Sequence, residues 1–172
     1  MGFTYDSYIL QSTADQISVS LRDELMLKAL ILTDEQAEKY GDLLEEADTS
    51  QFSYTEEAYE RDCDERAAES ADTFSYDNTG FTAHITLEED NLVFFSVPYE
   101  EGWTATVNGE PVDVEKVQIG FMAVKASDGD NVIQFYYETP GLHTGIMISI
   151  GAAAVLAAYW VVSSMYKRRH AE

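Results

Sequence analysis

Tyr99-Glu100-Glu101-Gly102-Trp103 is the stretch whose residue types and spacing could do recognition chemistry. Aromatic rings stack on the C–H faces of a sugar while a neighbouring carboxylate accepts its hydroxyls, so Tyr99, Glu101 and Trp103 are glycan-contact candidates, with Gly102 letting the chain turn between them. Trp103 also opens the alternation Trp103/Ala105/Val107, which suits a sandwich-core anchor. Both readings stand at this point. Covalent chemistry finds less support. There is no Gly-x-Ser-x-Gly, and the single Cys63 lies in an acidic stretch that raises rather than lowers a thiol pKa. His84, His143 and His170 fall on a strand face, at a membrane edge and in a tail, with no spacing that joins them on one metal. Paired carboxylates, which a glycosidase holds about 5 to 10 Å apart, arise here by sheer number of acids. Ser127-Asp128-Gly129-Asp130-Asn131 has oxygens for calcium but lacks the closing Glu of a calcium loop, and reads as a turn. No cofactor and no metal are expected.

Those residues need a scaffold, and the patterning predicts one of the α+β class. Residues 1–50 are read as a helical N-terminal segment. Leu21 to Leu32 has helical spacing, and Thr33-Asp34-Glu35-Gln36 fits a capping box that opens a second helix ending between Gly41 and Glu46. Residues 51–72 are read as an acidic helix and linker, with Glu56 and Glu57 suited to a helix N-terminus. Asp34 to Asp72 holds fifteen acids against three bases, spread as on a solvated face.

Residues 73–139 predict an antiparallel β-sandwich of about six strands. Phe81, Ala83, Ile85 and Leu87 alternate with Thr82, His84 and Thr86, while Leu92 to Val97 is apolar throughout, as a central strand requires. Asn108-Gly109 suits the two positive-φ centres of a type I′ hairpin turn, with Pro111 to Val114 returning as the partner strand. Thr139-Pro140-Gly141 then separates sandwich from span.

Residues 142–166 predict one transmembrane helix. Gly145 to Met165 is uncharged, and about 21 residues at ~1.5 Å each cover a hydrocarbon core of about 30 Å. Lys167, Arg168 and Arg169 follow at once, which by the positive-inside bias makes 167–172 a cytoplasmic tail and the remainder extracytoplasmic. The linker is short, so Tyr99, Trp103, Tyr136 and Tyr137 are candidates for the lipid interface as well as for core. Met1 to Gly141 carries 31 acids against 7 bases, a net charge of −24, which excludes nucleic acid as a partner. The first residues show no basic or apolar export signal. The expectation is the tail of a longer polytopic protein, with a tail-anchored cytosolic domain as the rival.

The run from Leu92 through Pro98-Tyr99-Glu-Glu-Gly102-Trp103 to Asn108-Gly109, then Gly120-Phe121-Met122, then Ile133 to Pro140-Gly141 and Gly145, closely resembles the C-terminal part of YfhO-type bacterial membrane proteins. Gly2 to Tyr8 and Leu25 to Leu30 are also similar to that family. The resemblance implies a large multi-pass protein of the GT-C glycosyltransferase type, taking sugar from a polyprenyl-phosphate donor outside the membrane and, in some members, decorating cell-wall polymers. Its catalytic acids would lie in early loops outside this sequence, so no catalytic residue is assigned here. The implied partners are the lipid bilayer and, through upstream helices, a cell-wall glycopolymer or a polyprenyl-phosphate sugar. The implied role is an acceptor-facing accessory part, inactive alone. A purely structural module and a stand-alone membrane-anchored adhesin are the competing classes.

Overall fold

The β-strand at the centre of this fold is apolar on both faces because both faces are covered. The computed structural model describes residues 2–169, with the side chains of 167–169 left out. The side chains of Lys167, Arg168 and Arg169, the predicted topology signal, and residues 170–172 therefore lie outside what is described. The chain divides into two units, with the boundary between Tyr137 and Glu138.

In the first unit two antiparallel sheets face one another. The first has four strands in the order β1 (Gly2–Phe3), β7 (Asn91–Pro98), β11 (Phe121–Ala126), β10 (Glu115–Val117). The second has five: β5 (Thr73–Tyr76), β6 (Gly80–Leu87), β12 (Gly129–Tyr137), β8 (Trp103–Val107) and β9 (Glu110–Val112). Between them Phe81, Ile85, Ile133 and Phe135 meet Val93, Phe95, Met122 and Val124 in the sandwich core. The Phe81 and Phe135 rings stack at 4.5 Å, and Phe95 meets Phe135 edge-on at 4.9 Å, pairs worth ~0.5–1.5 kcal/mol each beyond their burial.

Leu92 and Phe94 point the other way from β7. They pack against Tyr5, Leu30, Leu32, Tyr40 and Leu44 of the N-terminal region. That region is a small α/β layer: β2 (Ser7–Leu10) lies parallel to both β3 (Leu30–Leu32) and β4 (Glu45–Glu46). Helices α1 (Gln11–Ala14), α2 (Val19–Lys28), α3 (Asp34–Tyr40) and α4 (Glu56–Ala68) connect and cover it. The predicted helix over Leu21 to Leu32 thus stops at Lys28. Leu30, Ile31 and Leu32 are all buried, with Leu30 and Leu32 facing the sandwich and Ile31 facing the helices, so a short apolar run covered on both sides forms a strand.

The predicted capping box is present. Thr33 accepts from the Gln36 backbone N–H at 3.3 Å, and the Gln36 side chain accepts from the Thr33 N–H at 3.1 Å. The Gln36 amide also donates to Glu115 and to the Lys116 carbonyl, so the residue that starts α3 docks it onto β10. Lys39 and Tyr40 donate to the same Glu115 carboxylate at 2.8 and 2.7 Å. Partial burial pushes that carboxyl up, and the donors from Lys39, Tyr40 and Gln36 more than offset it, leaving it below its ordinary range. Lys39 is correspondingly held above its own. On the far side, Lys28 of α2 and Asp62 of α4 form an ion pair with almost no exposure, and Arg66 donates to the Thr4 carbonyl with its guanidinium 4.9 Å from the Tyr5 ring.

Gln118, in the β10–β11 turn, joins the layers. It is 1% exposed, with φ +48. Its amide nitrogen reaches the Tyr5 hydroxyl, the Met26 carbonyl and the Ala29 carbonyl at 2.9 to 3.2 Å, while its side-chain oxygen accepts from Ile31 N–H. Tyr5 itself donates to the Met26 carbonyl, and burial pushes its phenol up to about 12.

The second unit is α5 (Leu142–Arg169) behind a turn in which Leu142 N–H reaches the Thr139 carbonyl and Gly141 takes φ +79. Pro140 before it suits the second position of such a turn. Leu142–Tyr166 is 25 residues of mean hydropathy 2.1 with none of them buried, a length of ~38 Å at ~1.5 Å per residue and enough to cross a bilayer.

Candidate functional site

Two places on the sandwich bear on recognition. The first is the loop read from sequence. Trp103 N–H returns to the Glu100 carbonyl at 3.2 Å, closing a turn through Glu101 and Gly102, and Tyr99 N–H holds the Gly120 carbonyl at 2.9 Å. Glu101 is exposed. Trp103 is half-buried, paired with Tyr137 across the sheet, and its ring meets Tyr137 at 5.1 Å, Phe81 at 5.6 Å and Phe135 at 6.2 Å. Tyr99 also packs on the sandwich core. The two rings therefore give part of their surface to the protein, and the Glu101 carboxylate stays exposed at the loop.

Asn108 and Gly109 connect β8 to β9 with φ +54 and +84, the hairpin turn that the dipeptide predicts. The Asn108 side chain adds a bond from Val132 N–H at 2.8 Å, tying the turn to the central strand. In the Ser127–Asn131 segment the Asn131 amide donates to the Ser127 and Gly129 carbonyls, so its side chain closes the β11–β12 turn. Among the described residues no three His, Cys, Asp or Glu side chains converge as a metal centre would.

The second place is the outer face of the five-stranded sheet, away from the core. Pairing registers place Ser75, Thr82, Gln134, Thr106 and Pro111 in one row across all five strands. The next row holds Gly80, Tyr136 and Thr104. All of these but Pro111 line an open pocket of about 440 Å³. A Cβ at Gly80 would lie 1.9 Å from the Phe135 carbonyl oxygen, so only glycine fits, and no side chain stands beside Tyr136 on that strand. Asp77 at the rim accepts from Thr79 N–H, Thr79 hydroxyl and Gly80 N–H at 2.7 to 3.0 Å, which hold its carboxyl below the usual range. The wet side of the Phe81–Leu87 alternation signals this face in the sequence. Its continuation through Gln134 and Tyr136 needs the strand register, which sequence does not give.

A family model described as bacterial membrane protein YfhO matches residues 44–149. That range takes in the acidic helix, every strand of the sandwich but β1 and the start of α5, well over half of the chain. The chain belongs to the YfhO family. It is also similar to the uncharacterized protein YfhO of Bacillus subtilis (strain 168), at 30% identity over 93 residues, which cover 54% of this chain and 11% of that protein. The chain thus matches about a tenth of the length of this relative. No solved structure matches it. Membership in a family of membrane proteins, with one helix long and apolar enough to span, places this YfhO chain at the membrane.

Proposed function

We propose that this YfhO chain is the extracytoplasmic, acceptor-facing part of a multi-pass membrane glycosyltransferase, recognising glycopolymer while the transfer chemistry is supplied by other helices. The observation that carries the reading is the pairing of one apolar span among the described residues with a sandwich that offers hydroxyls, a carboxamide and partly exposed aromatic rings. Such groups bind polyols. Lys167, Arg168 and Arg169 orient the span with the sandwich outside. Tyr99, Glu101 and Trp103 would touch glycan at the loop, Trp103 with the part of its ring that its core contacts leave free.

The test is transfer by a complete YfhO-type protein carrying Tyr99→Ala and Glu101→Ala. The expected result is a raised KM for the acceptor polymer with the KM for polyprenyl-phosphate sugar unchanged. Unchanged acceptor kinetics, or robust transfer by the 172-residue chain alone, would overturn the reading. The ring contacts of Trp103 favour one rival, a sandwich that only braces the helical bundle, and that rival predicts no saccharide binding anywhere on the domain.

A further inference from the structure

We infer that the outer face of the five-stranded sheet is a binding site for a neutral oligosaccharide, centred on Gln134 and Tyr136. The inference deepens the glycan-facing reading above and rests on it for the class of ligand, but it names a surface separate from the Tyr99–Trp103 loop.

Charge is the first ground. Charged residues make up 24% of the sequence, yet of the thirteen residues lining this pocket only Asp77 is charged, and its Oδ1 already accepts from Thr79 and Gly80. A domain this acidic keeps a neutral surface here, which suits neither an anion nor a divalent cation. Available hydrogen bonding is the second. Among the described residues, the Ser75, Thr82 and Thr106 hydroxyls, the Gln134 carboxamide and the Tyr136 phenol make no side-chain hydrogen bond within the protein; the first four stand in one row with neighbours one strand spacing, about 4.8 Å, apart, and Tyr136 stands in the next row. Groups that can each donate and accept, repeated at that interval, suit the hydroxyls along an extended sugar chain. The third ground is an open ring: Tyr136 is 52% exposed, beside a glycine that must stay a glycine. A ring exposed among hydroxyls offers a stacking surface for the C–H face of a pyranose.

The test uses the full chain in a detergent without a sugar headgroup, titrated with maltopentaose, cellopentaose and chitopentaose, and with a glycerol-phosphate polymer as the anionic comparison. At least one neutral pentasaccharide should bind saturably, the anionic polymer should not, and Gln134→Ala with Tyr136→Ala should weaken binding tenfold or more at an unchanged Tm. Because both side chains are exposed, the fold survives these changes, and Tyr136→Phe separates stacking from the phenol by retaining most of the affinity. If a pentasaccharide binds equally well to the double variant but not to Tyr99→Ala/Glu101→Ala, the outer-face site is wrong and the glycan-facing reading stands. If no neutral saccharide binds, both fall.

Discussion

At Gln118 one side chain satisfies four backbone or hydroxyl groups, on Tyr5, Met26, Ala29 and Ile31, and the backbone there is left-handed, a conformation few side chains adopt. Truncating it strands buried partners, so Gln118→Ala should cost about 3 kcal/mol in urea unfolding. Trp103→Ala removes an indole that three other rings touch, and a loss of about 3 kcal/mol is expected there too. Glu115 supplies the pH dependence. Its folded pKa lies below the ordinary value near 4.5, so its stabilisation is present above that pH and is lost as pH falls through the folded value. Comparing wild type with Glu115→Gln at pH 7 and at pH 4 should show a gap in stability at pH 7 that narrows at pH 4. The comparison between the two chains cancels the repulsion among the other acids, which acid relieves in both.

The elements follow from patterns of different strength. The capping box at Thr33, the alternation Phe81–Leu87, the Asn108-Gly109 turn and the apolar Leu92–Val97 run are all legible, because each is a local rule that the structure obeys. Leu30–Leu32 is not, since a short apolar run fits helix or strand equally and its two neighbouring layers decide. Strand β1 and the parallel sheet are likewise set by partners far along the chain. The loop candidates were legible by residue type, whereas the outer-face rows depend on registers between strands that are up to about sixty residues apart in sequence. Gly80 is where element and pocket meet. Gly80→Ala drives a methyl into the Phe135 carbonyl and should displace β6 from β12, lowering Tm by several degrees or more. Gly109→Ala, at φ +84 in open space, should cost only about 1 kcal/mol, the strain of a left-handed alanine.

For the molecule as a whole, an acidic sandwich and an apolar span imply opposite solvents for the two units, and the family supplies the membrane. Orientation is testable through the sole cysteine of the sequence. Cys63 is a free, half-buried thiol, and in an otherwise cysteine-free protein it should react with a membrane-impermeant maleimide on intact cells as fully as after permeabilisation. Labelling that requires permeabilisation would put the sandwich on the cytoplasmic side. The central claim, glycan recognition without transfer, is met most directly by giving the 172-residue chain both a polyprenyl-phosphate sugar and a neutral acceptor oligosaccharide, then recording acceptor binding and product in the same sample. The account predicts saturable acceptor binding with no transferred sugar; turnover, or acceptor that never binds, would contradict it.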